Sequence, residues 1–354
     1  RGGIAISGEG LKVGSSIFLE SGFMAEGQVR LTEANVGMTI QCNNAHFINV
    51  NNTALSADGI KVGGSVFLSD GFKAEGLVRF LDADIKGVFD CSHGQFINKD
   101  SIALGLDRLA VGTSIFFRDN FTAVGQVRLL GAKIKINLEC DSAQFINNNG
   151  VALNAGYLEV GNAVYIRRAT RIIGGVSFAG ALIGGIFEWK QLNSPNETKL
   201  DLSLAKVGIL DDERRSWPKS GNLVINGFEY EGFSNDAPKD AETRIEWLLL
   251  QPTDEYNSQP YKQLSSVLEK IGLENSARKV NIQMNIDKAH QGYENSIAKV
   301  GNIVMRYSIG YGYQPWKALL WMAGFIIFGT CIFHIGNKVG CFTSIENKMS
   351  SFDA

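Results

Sequence analysis

Residues 62–110 read VGGSVFLSDGFKAEGLVRFLDADIKGVFDCSHGQFINKDSIALGLDRLA, and this 49-residue unit decides the fold. It occurs four times in succession, beginning at Val13-Gly14, Val62-Gly63, Val111-Gly112 and Val160-Gly161. A second glycine recurs at the same spacing, as Gly27, Gly76, Gly125 and Gly174. Self-similarity at a fixed period is typical of stacked repeats, in which each unit buries its apolar face against its neighbours.

The local pattern within each unit is that of β-strands. Val78-Arg79-Phe80 alternates apolar and charged residues with period two, which puts the apolar side chains on one face. Gly, Asn and Asp interrupt the short apolar runs, and these residues tolerate the backbone of tight turns. No convincing helical period occurs before about residue 238. The sequence predicts a mainly β protein, a right-handed β-solenoid.

The two halves of the unit resemble each other, since Val66–Gly71 runs parallel to Val88–Gly94. We therefore expect two coils per 49-residue unit, each of about 22 to 27 residues. With roughly 4.8 Å between neighbouring strands, equivalent residues of successive units would lie about 10 Å apart.

Three cysteines share one position of the repeat, namely Cys42, Cys91 and Cys140, and Trp189 takes that position in the fourth unit. A disulfide requires Cα atoms within about 7 Å, so a column with a step of about 10 Å cannot bridge itself. We expect these thiols to fill an interior column, with a redox or metal ladder as the alternative. Unpaired cysteines fit a reducing compartment.

Beyond the repeats, the period of the sequence changes. Tyr261, Leu264, Val267 and Leu268 have helical spacing and follow a helix start at Ser258–Pro260. The domain organisation that we predict is repeats in 1–190, terminal coils and a cap in 191–236, a helical hairpin module in 237–290, a juxtamembrane segment in 291–314, a transmembrane helix in 315–336 and a tail in 337–354.

The transmembrane helix is predicted from Ala318–Ile335, 18 residues without a formal charge when His334 is neutral. This is close to the length that crosses about 30 Å of hydrocarbon. The residues predicted at the membrane interface are Tyr311, Tyr313, Trp316, Lys317 and Trp321. Lys299, Arg306 and Lys317 precede the span while Lys338 and Lys348 follow it, which favours a cytoplasmic solenoid. Residues 291–309 are expected to form either a helix on the membrane surface or a plain connecting helix.

Six segments, which together span nearly the whole chain, carry a resemblance to a known family: Thr53–Gly59, Gly76–Ile85, Ala143–Asn147, Tyr261–Leu268, Ala277–Val280 and Gly310–Trp316. The chain resembles bacterial β-solenoid membrane proteins that are related in style to pentapeptide repeats. Members of that family are often labelled "membrane-associated oxidoreductase". The resemblance implies a bacterial inner-membrane location, further coils upstream and often a second membrane segment downstream. Arg1 begins partway through a unit, which fits a fragment.

Candidate sites for chemistry are few. The sequence has no GxxxxGK[ST] or HExxH motif, and the spacing of Gly8, Gly10 and Gly14 misses the dinucleotide fingerprint. We nominate no catalytic, cofactor or metal residues and expect no cofactor. Arg30, Arg79 and Arg128 share a repeat position and would form an outward stripe for an anion or an acidic partner, or else one side of a solvated, mixed-charge face.

The sequence thus favours a membrane-anchored β-solenoid scaffold that recruits a protein partner or self-associates. A formal net charge of −2 gives no general attraction to nucleic acid, so we expect no nucleic-acid partner. We do expect the lipid bilayer to be a partner. Two alternatives stay open: a redox enzyme using a flavin or nicotinamide, as the family label implies, and a subunit of a membrane pore or transporter.

Overall fold

The computed structural model describes residues 3–252, 256–292 and 296–339. Backbone contacts divide the chain into two compact units, Arg1–Ala277 and Arg278–Ala354. The first contains the solenoid with two helices and the start of a third, and the second contains the C-terminal helices. The end of the expected tail, with Cys341 and Lys348, lies outside the described residues.

Strands account for most of the first unit, and they are short. The first repeats contribute β1 (Ile4–Ser7), β2 (Lys12–Val13), β3 (Ile17–Phe18), β4 (Met24–Glu26), β5 (Gln28–Arg30), β6 (Asn35–Val36), β7 (Ile40–Gln41), β8 (His46–Ser56), β9 (Lys61–Val62), β10 (Val66–Phe67), β11 (Lys73–Arg79), β12 (Asp84–Ile85), β13 (Phe89–Asp90) and β14 (Gln95–Gly105). The later ones contribute β15 (Ala110–Val111), β16 (Ile115–Phe116), β17 (Thr122–Arg128), β18 (Lys133–Ile134), β19 (Asn137–Asp141), β20 (Gln144–Asn154), β21 (Glu159–Val160), β22 (Ala163–Arg167), β23 (Arg171–Ser177), β24 (Leu182–Trp189), β25 (Thr198–Asp201), β26 (Lys206–Asp212), β27 (Leu223–Val224) and β28 (Glu229–Phe233).

Helices follow the strands: α1 (Ala241–Leu248), α2 (Gln259–Lys270), α3 (Glu274–Gly292), α4 (Ser296–Ile309) and α5 (Trp316–Lys338). Single 3₁₀ turns occur at Pro195–Glu197, Arg214–Ser216 and Gly310–Gly312. The helix predicted after Ser258 is confirmed as α2, whose buried side chains include Tyr261, Leu264 and Leu268.

The strands form parallel ladders, each strand pairing with the equivalent strand of the neighbouring coil. One column shows the period, because successive ladder partners are Val13, Val36, Val62, Ile85, Val111, Ile134, Val160, Ile183, Val207 and Tyr230. Each 49-residue unit therefore makes two coils, and the whole is a β-solenoid of about ten turns. Both expectations from the sequence are confirmed.

Aromatic side chains form a continuous column in the solenoid interior. Phe47, Phe72, Phe96, Phe121 and Phe145 come from successive coils, with ring centroids 5.3 to 5.4 Å apart. All five are fully buried. Burying each ring contributes about 1.5–3 kcal/mol, so the repeated phenylalanine is a principal source of stability.

A bulge in alternate coils explains why the two coils of a unit differ in length. Glu75 pairs with Ile48 and Val78 with Leu55, so β8 carries four more residues than β11 over this stretch. The buried Asn49 closes the bulge by donating from Nδ2 to the Thr53 carbonyl oxygen at 2.8 Å. Asn98 and Asn147 make the same contact in the next two units, at 2.7 and 2.9 Å. The three asparagines are thus structural parts of the bulge.

The second recurring glycine lies directly beneath this bulge. Gly76 has a φ of +125°, and a Cβ there would lie 2.4 Å from the Asn49 carbonyl oxygen and 2.7 Å from that of Asn52. Gly125 and Gly174 meet the same obstruction from the bulges above them. Only glycine fits both the backbone angle and the space, so the repeat retains it.

Helices α1 and α2 cover the end of the solenoid formed by the last described coil. The Gln259 amide accepts from the Gly227 N–H at 2.8 Å and donates to the Phe228 carbonyl oxygen at 3.1 Å, while Gln263 donates to the Tyr230 carbonyl oxygen at 2.7 Å. A further coil would otherwise pair with this edge. The ladder itself runs through residues 191–236, where β25 to β28 lie.

Candidate interaction surfaces

The cysteines at the shared repeat position lie in one interior column, as predicted. The column reads Cys42, Leu68, Cys91, Phe117, Cys140, Ile166 and Trp189, because the coil between two cysteines contributes an apolar residue. All three thiols are buried. Burial raises the pKa of Cys42 to about 12, with a smaller contribution from Glu20, and raises the pKa of Cys91 and Cys140 well above the ordinary value. The thiols are therefore held in the unreactive, protonated form.

The three arginines of the predicted stripe lie on the solenoid surface, half-buried, each beside a carboxylate. Arg79 forms an ion pair with Asp58, and Arg128 forms one with Asp107 at 2.5 Å. Arg30 lies 3.7 Å from Glu9. Asp58 and Asp107 also accept from the backbone N–H of Leu81 and Leu130 on the neighbouring coil. The arginine charges are thus compensated within the solenoid, and their role towards an anion or an acidic partner stays a prediction.

A polar cluster on the surface of strands β8 and β11 brings together His46, Lys73 and Glu75. The Lys73 ammonium donates to Glu75 Oε1 at 2.6 Å, and His46 Nε2 lies 3.2 Å from the same oxygen. The lysine contact lowers the pKa of the Glu75 carboxyl. Within residues 3–252, 256–292 and 296–339, no three His, Cys, Asp or Glu side chains come together in a way that would hold a metal ion.

A groove follows the solenoid axis along the valine–glycine side of the coils, and we call it the axial groove. It has a volume of about 770 Å³ and crosses seven coils, from the coil of Asp84 to that of Glu231. Six steps of about 4.8 Å give it a length of roughly 29 Å. Its floor is the backbone of the column Val111, Ile134, Val160, Ile183 and Val207, whose side chains are buried in the solenoid core, together with the residues that follow each of them.

Close approach of consecutive coils explains the glycines of this floor. A Cβ on Gly112 would lie 2.2 Å from the Lys86 carbonyl oxygen, and one on Gly161 would lie 2.1 Å from that of Lys135. The groove is therefore floored by glycine and by the backbone of the valine and isoleucine residues, whose side chains are buried in the core. That backbone is already paired, since the Gly112 N–H donates to the Ile85 carbonyl oxygen at 2.8 Å. A ligand in the groove would meet paired backbone and the exposed side chain of Leu182 rather than free backbone groups.

Positively charged lysines and negatively charged carboxylates both line the walls of the axial groove. Three ion pairs lie along it: Lys86 with Asp84 at 2.7 Å, Lys133 with Glu159 at 3.1 Å, and Lys206 with Glu229 at 2.9 Å. Lys135 is exposed and, in the part of the chain that the structure describes, has no carboxylate within ion-pair distance. Sequence reasoning missed this groove. The recurring valine–glycine pair was its signal, but the pair does not reveal on its own that the coil is concave there.

Helix α5 coincides with the predicted transmembrane segment. Its 23 residues have a mean hydropathy of 2.0, and it is long and apolar enough to cross a bilayer. Trp316, Lys317 and Trp321 lie in its first two turns. Tyr311 lies in the turn before it at a φ of 54° and donates its hydroxyl to Asn302 Oδ1, and Tyr313 follows in the same turn. The aromatic residues assigned to the interface are therefore grouped at one end of the helix.

The fold and these surfaces define a class: a parallel β-solenoid followed by a helix capable of spanning a membrane. A comparison with models of protein families, with curated proteins and with solved structures finds no match for this chain. The solenoid is observed in the structure, whereas the family likeness stays an expectation from the sequence.

Proposed function

We propose that this chain is a membrane-anchored β-solenoid scaffold that recruits an extended segment of a protein partner into the axial groove. The observation that carries the proposal is the occurrence, in one chain, of a rigid repeat surface and of an apolar helix of membrane-spanning length. Solenoids present long, regular binding surfaces of this kind. The chain then has no need of a catalytic centre.

The shape and chemistry of the axial groove support a peptide as its ligand. A length of roughly 29 Å accommodates eight or nine residues of extended chain at about 3.4 Å each. The exposed Leu182 side chain and the glycines of the floor suit apolar side chains of the peptide, and the mixed charges of the walls suit a partner with both signs. A nucleic acid, with one negative charge per residue, would meet Asp84, Glu159 and Glu231 in the groove.

We place the solenoid on the cytoplasmic side of a bacterial inner membrane. Cationic residues are more frequent before α5 than after it, which favours a cytoplasmic position for the segment that precedes the helix. The buried free thiols agree with a reducing compartment. This location would place the groove where cytoplasmic proteins can reach it.

A photocrosslinking experiment tests the proposal. A photoreactive residue replaces Lys135 in the axial groove or, as control, Lys99 at the tip of a bulge, and the full chain is irradiated in its native membranes. We expect a discrete crosslinked protein from position 135 only, and we expect the groove variant Lys133→Glu to abolish it. Identical products from both positions, or no product from position 135, would contradict the proposal. A crosslink to a second copy of the chain would identify self-association as the function of the groove.

The redox alternative has its own test. Purified full chain is examined for visible absorbance and for binding of a reduced nicotinamide. A preparation with stoichiometric flavin absorbance would overturn the scaffold proposal, and a colourless one that does not bind the nicotinamide would support it.

A further inference from the structure

Helix α4 carries an apolar face that no residue described by the structure covers. Val300, Ile303, Val304 and Tyr307 are spaced as one helical face, and their side chains are 60, 55, 55 and 63 % exposed. Four large apolar side chains on one exposed helical face are unusual on a surface that meets only water. This face needs a cover that the described residues do not provide.

The exposed face of α4 continues onto α5. A cleft of about 630 Å³ separates the two helices, and Ile303, Val304 and Tyr307 line one side of it while Trp321 and Phe325 line the other. The Tyr311–Asn302 hydrogen bond ties the connecting turn back to α4. The apolar surface of α4 therefore meets the first turns of α5, at the end where Trp316 and Trp321 lie. If α5 crosses a bilayer, α4 is at the depth of its headgroups.

The acidic and basic side chains of the segment that contains α4 and α5 are all cationic. Between Ser296 and Val339 the sequence contains Lys299, Arg306, Lys317 and Lys338 and no aspartate or glutamate. The chain as a whole carries a formal net charge of −2, so this segment differs sharply from the rest. A helix with an apolar face and exclusively cationic charges matches an interface of anionic lipids, where each Lys or Arg adds to binding.

We propose that α4 lies in the headgroup region of the leaflet that α5 enters, and that Arg306 and Lys317 bind the phosphate groups of anionic phospholipids there. The inference rests on the proposed membrane anchor and adds to it a lipid class and a second membrane-contacting element. Arg306 directly precedes Tyr307 and Lys317 directly precedes Ala318, and both of these neighbours line the apolar cleft, so the two cations lie at the same end of α5 and belong to one leaflet. Lys338, at the other end of α5, faces the opposite leaflet.

The test uses the full chain in vesicles of phosphatidylcholine with a third of phosphatidylglycerol. An environment-sensitive dye is attached at Val304→Cys, or at Phe328→Cys as a reporter of α5, in a background in which Cys331 and Cys341 are serine. The native thiols of the interior column are buried and do not react. Quenching is compared for lipids that carry a spin label near the headgroup, of either the phosphatidylglycerol or the phosphatidylcholine type.

We expect quenching of the dye at position 304, with a preference for spin-labelled phosphatidylglycerol. Removing a cation in Arg306→Gln or Lys317→Gln should lower this preference by up to about fivefold per charge. The control Lys338→Gln should leave it unchanged. A dye at 304 that lipid does not quench, while the dye at 328 is shielded from water, overturns the inference and leaves the anchor standing. A dye at 328 that is open to water overturns the proposed function itself. A preference that survives both substitutions overturns the role of Arg306 and Lys317.

Discussion

Asp212 and Arg244 form a buried bidentate ion pair that joins the solenoid to helix α1. Arg244 Nη1 donates to Asp212 Oδ2 at 2.9 Å and Nη2 donates to Oδ1 at 2.7 Å. Asp212 is the next ladder partner of Trp189, so the interior column of thiols and apolar side chains ends in this carboxylate. The Trp217 indole donates to it as well, at 2.8 Å, and the Arg244 guanidinium lies 4.1 Å from the centre of the Phe233 ring. The pair thus closes the end of the core.

Breaking this pair on one side should destabilise the solenoid strongly. Arg244→Met leaves the Asp212 carboxylate buried and uncompensated, and we expect a loss of about 3–5 kcal/mol in the free energy of unfolding. The double variant Asp212→Leu/Arg244→Met should recover most of that loss, because no buried charge remains. Denaturant unfolding followed by circular dichroism measures both. The surface pair of Lys206 and Glu229 is the control, and Lys206→Met should cost at most about 1 kcal/mol. An equal cost for both single variants would contradict the sealing role of Arg244.

The glycine of the valine–glycine pair offers a matched comparison between two repeats. Gly112→Ala would bring a Cβ within 2.2 Å of the Lys86 carbonyl oxygen, and we expect a loss of more than about 2 kcal/mol in stability. Gly14 occupies the same repeat position but has open space where the Cβ would lie. In the 354-residue chain, Gly14→Ala should therefore be tolerated. Thermal melts of the two variants check this, and similar melting temperatures would show that consecutive coils do not approach as closely as the structure has them.

The buried thiols predict a specific alkaline sensitivity. The pKa of Cys42 is raised from 9.0 to about 12 in the folded state, so the thiol stays protonated there while it ionises in the unfolded chain. The unfolded state then binds fewer protons, and stability falls as pH rises from about 9 towards 12, by up to about 1.4 kcal/mol per pH unit for each thiol. Below pH 9 the thiols add no slope.

Unfolding measured across this pH range, for the native chain and for Cys91→Ala, tests the point. In the variant, the free energy of unfolding should fall less steeply with pH above about 9, because one buried thiol is missing. Labelling with a water-soluble thiol reagent at neutral pH should modify Cys42, Cys91 and Cys140 only on unfolding. Fast labelling of the three repeat cysteines in folded protein would show that the interior column is open to solvent.

Much of the solenoid architecture could be predicted because the sequence repeat is regular. Cys42, Cys91 and Cys140 at a 49-residue spacing, together with the likeness of Val66–Gly71 to Val88–Gly94, indicated two coils per unit and an interior thiol column. The residue that separates two cysteines in the column, such as Phe117, then follows from the register.

Other features depend on three-dimensional relationships that no local pattern contains. Predicting the bulge at Asn49 requires the register of two strands, since only their pairing reveals that β8 has more residues than β11 over this stretch. Predicting the axial groove requires knowledge of how the coil curves at Gly112. The Asp212–Arg244 pair joins residues outside the repeat that are distant in sequence, so self-similarity gave no hint of it. The ion pairs of Arg79 and Arg128 with Asp58 and Asp107 likewise appear only when neighbouring coils are stacked.

Flotation of reconstituted protein tests the central claim, that α5 anchors the solenoid in a bilayer, most directly. The full chain and the variant Ile327→Lys/Phe328→Lys, which places two charges in the middle of α5, are reconstituted with vesicles and centrifuged in a high-salt density gradient that suppresses electrostatic attachment. We predict that the native chain floats with the lipid while the variant stays at the bottom with its solenoid folded. A native chain that remains at the bottom, or a variant that floats equally well, would contradict the account.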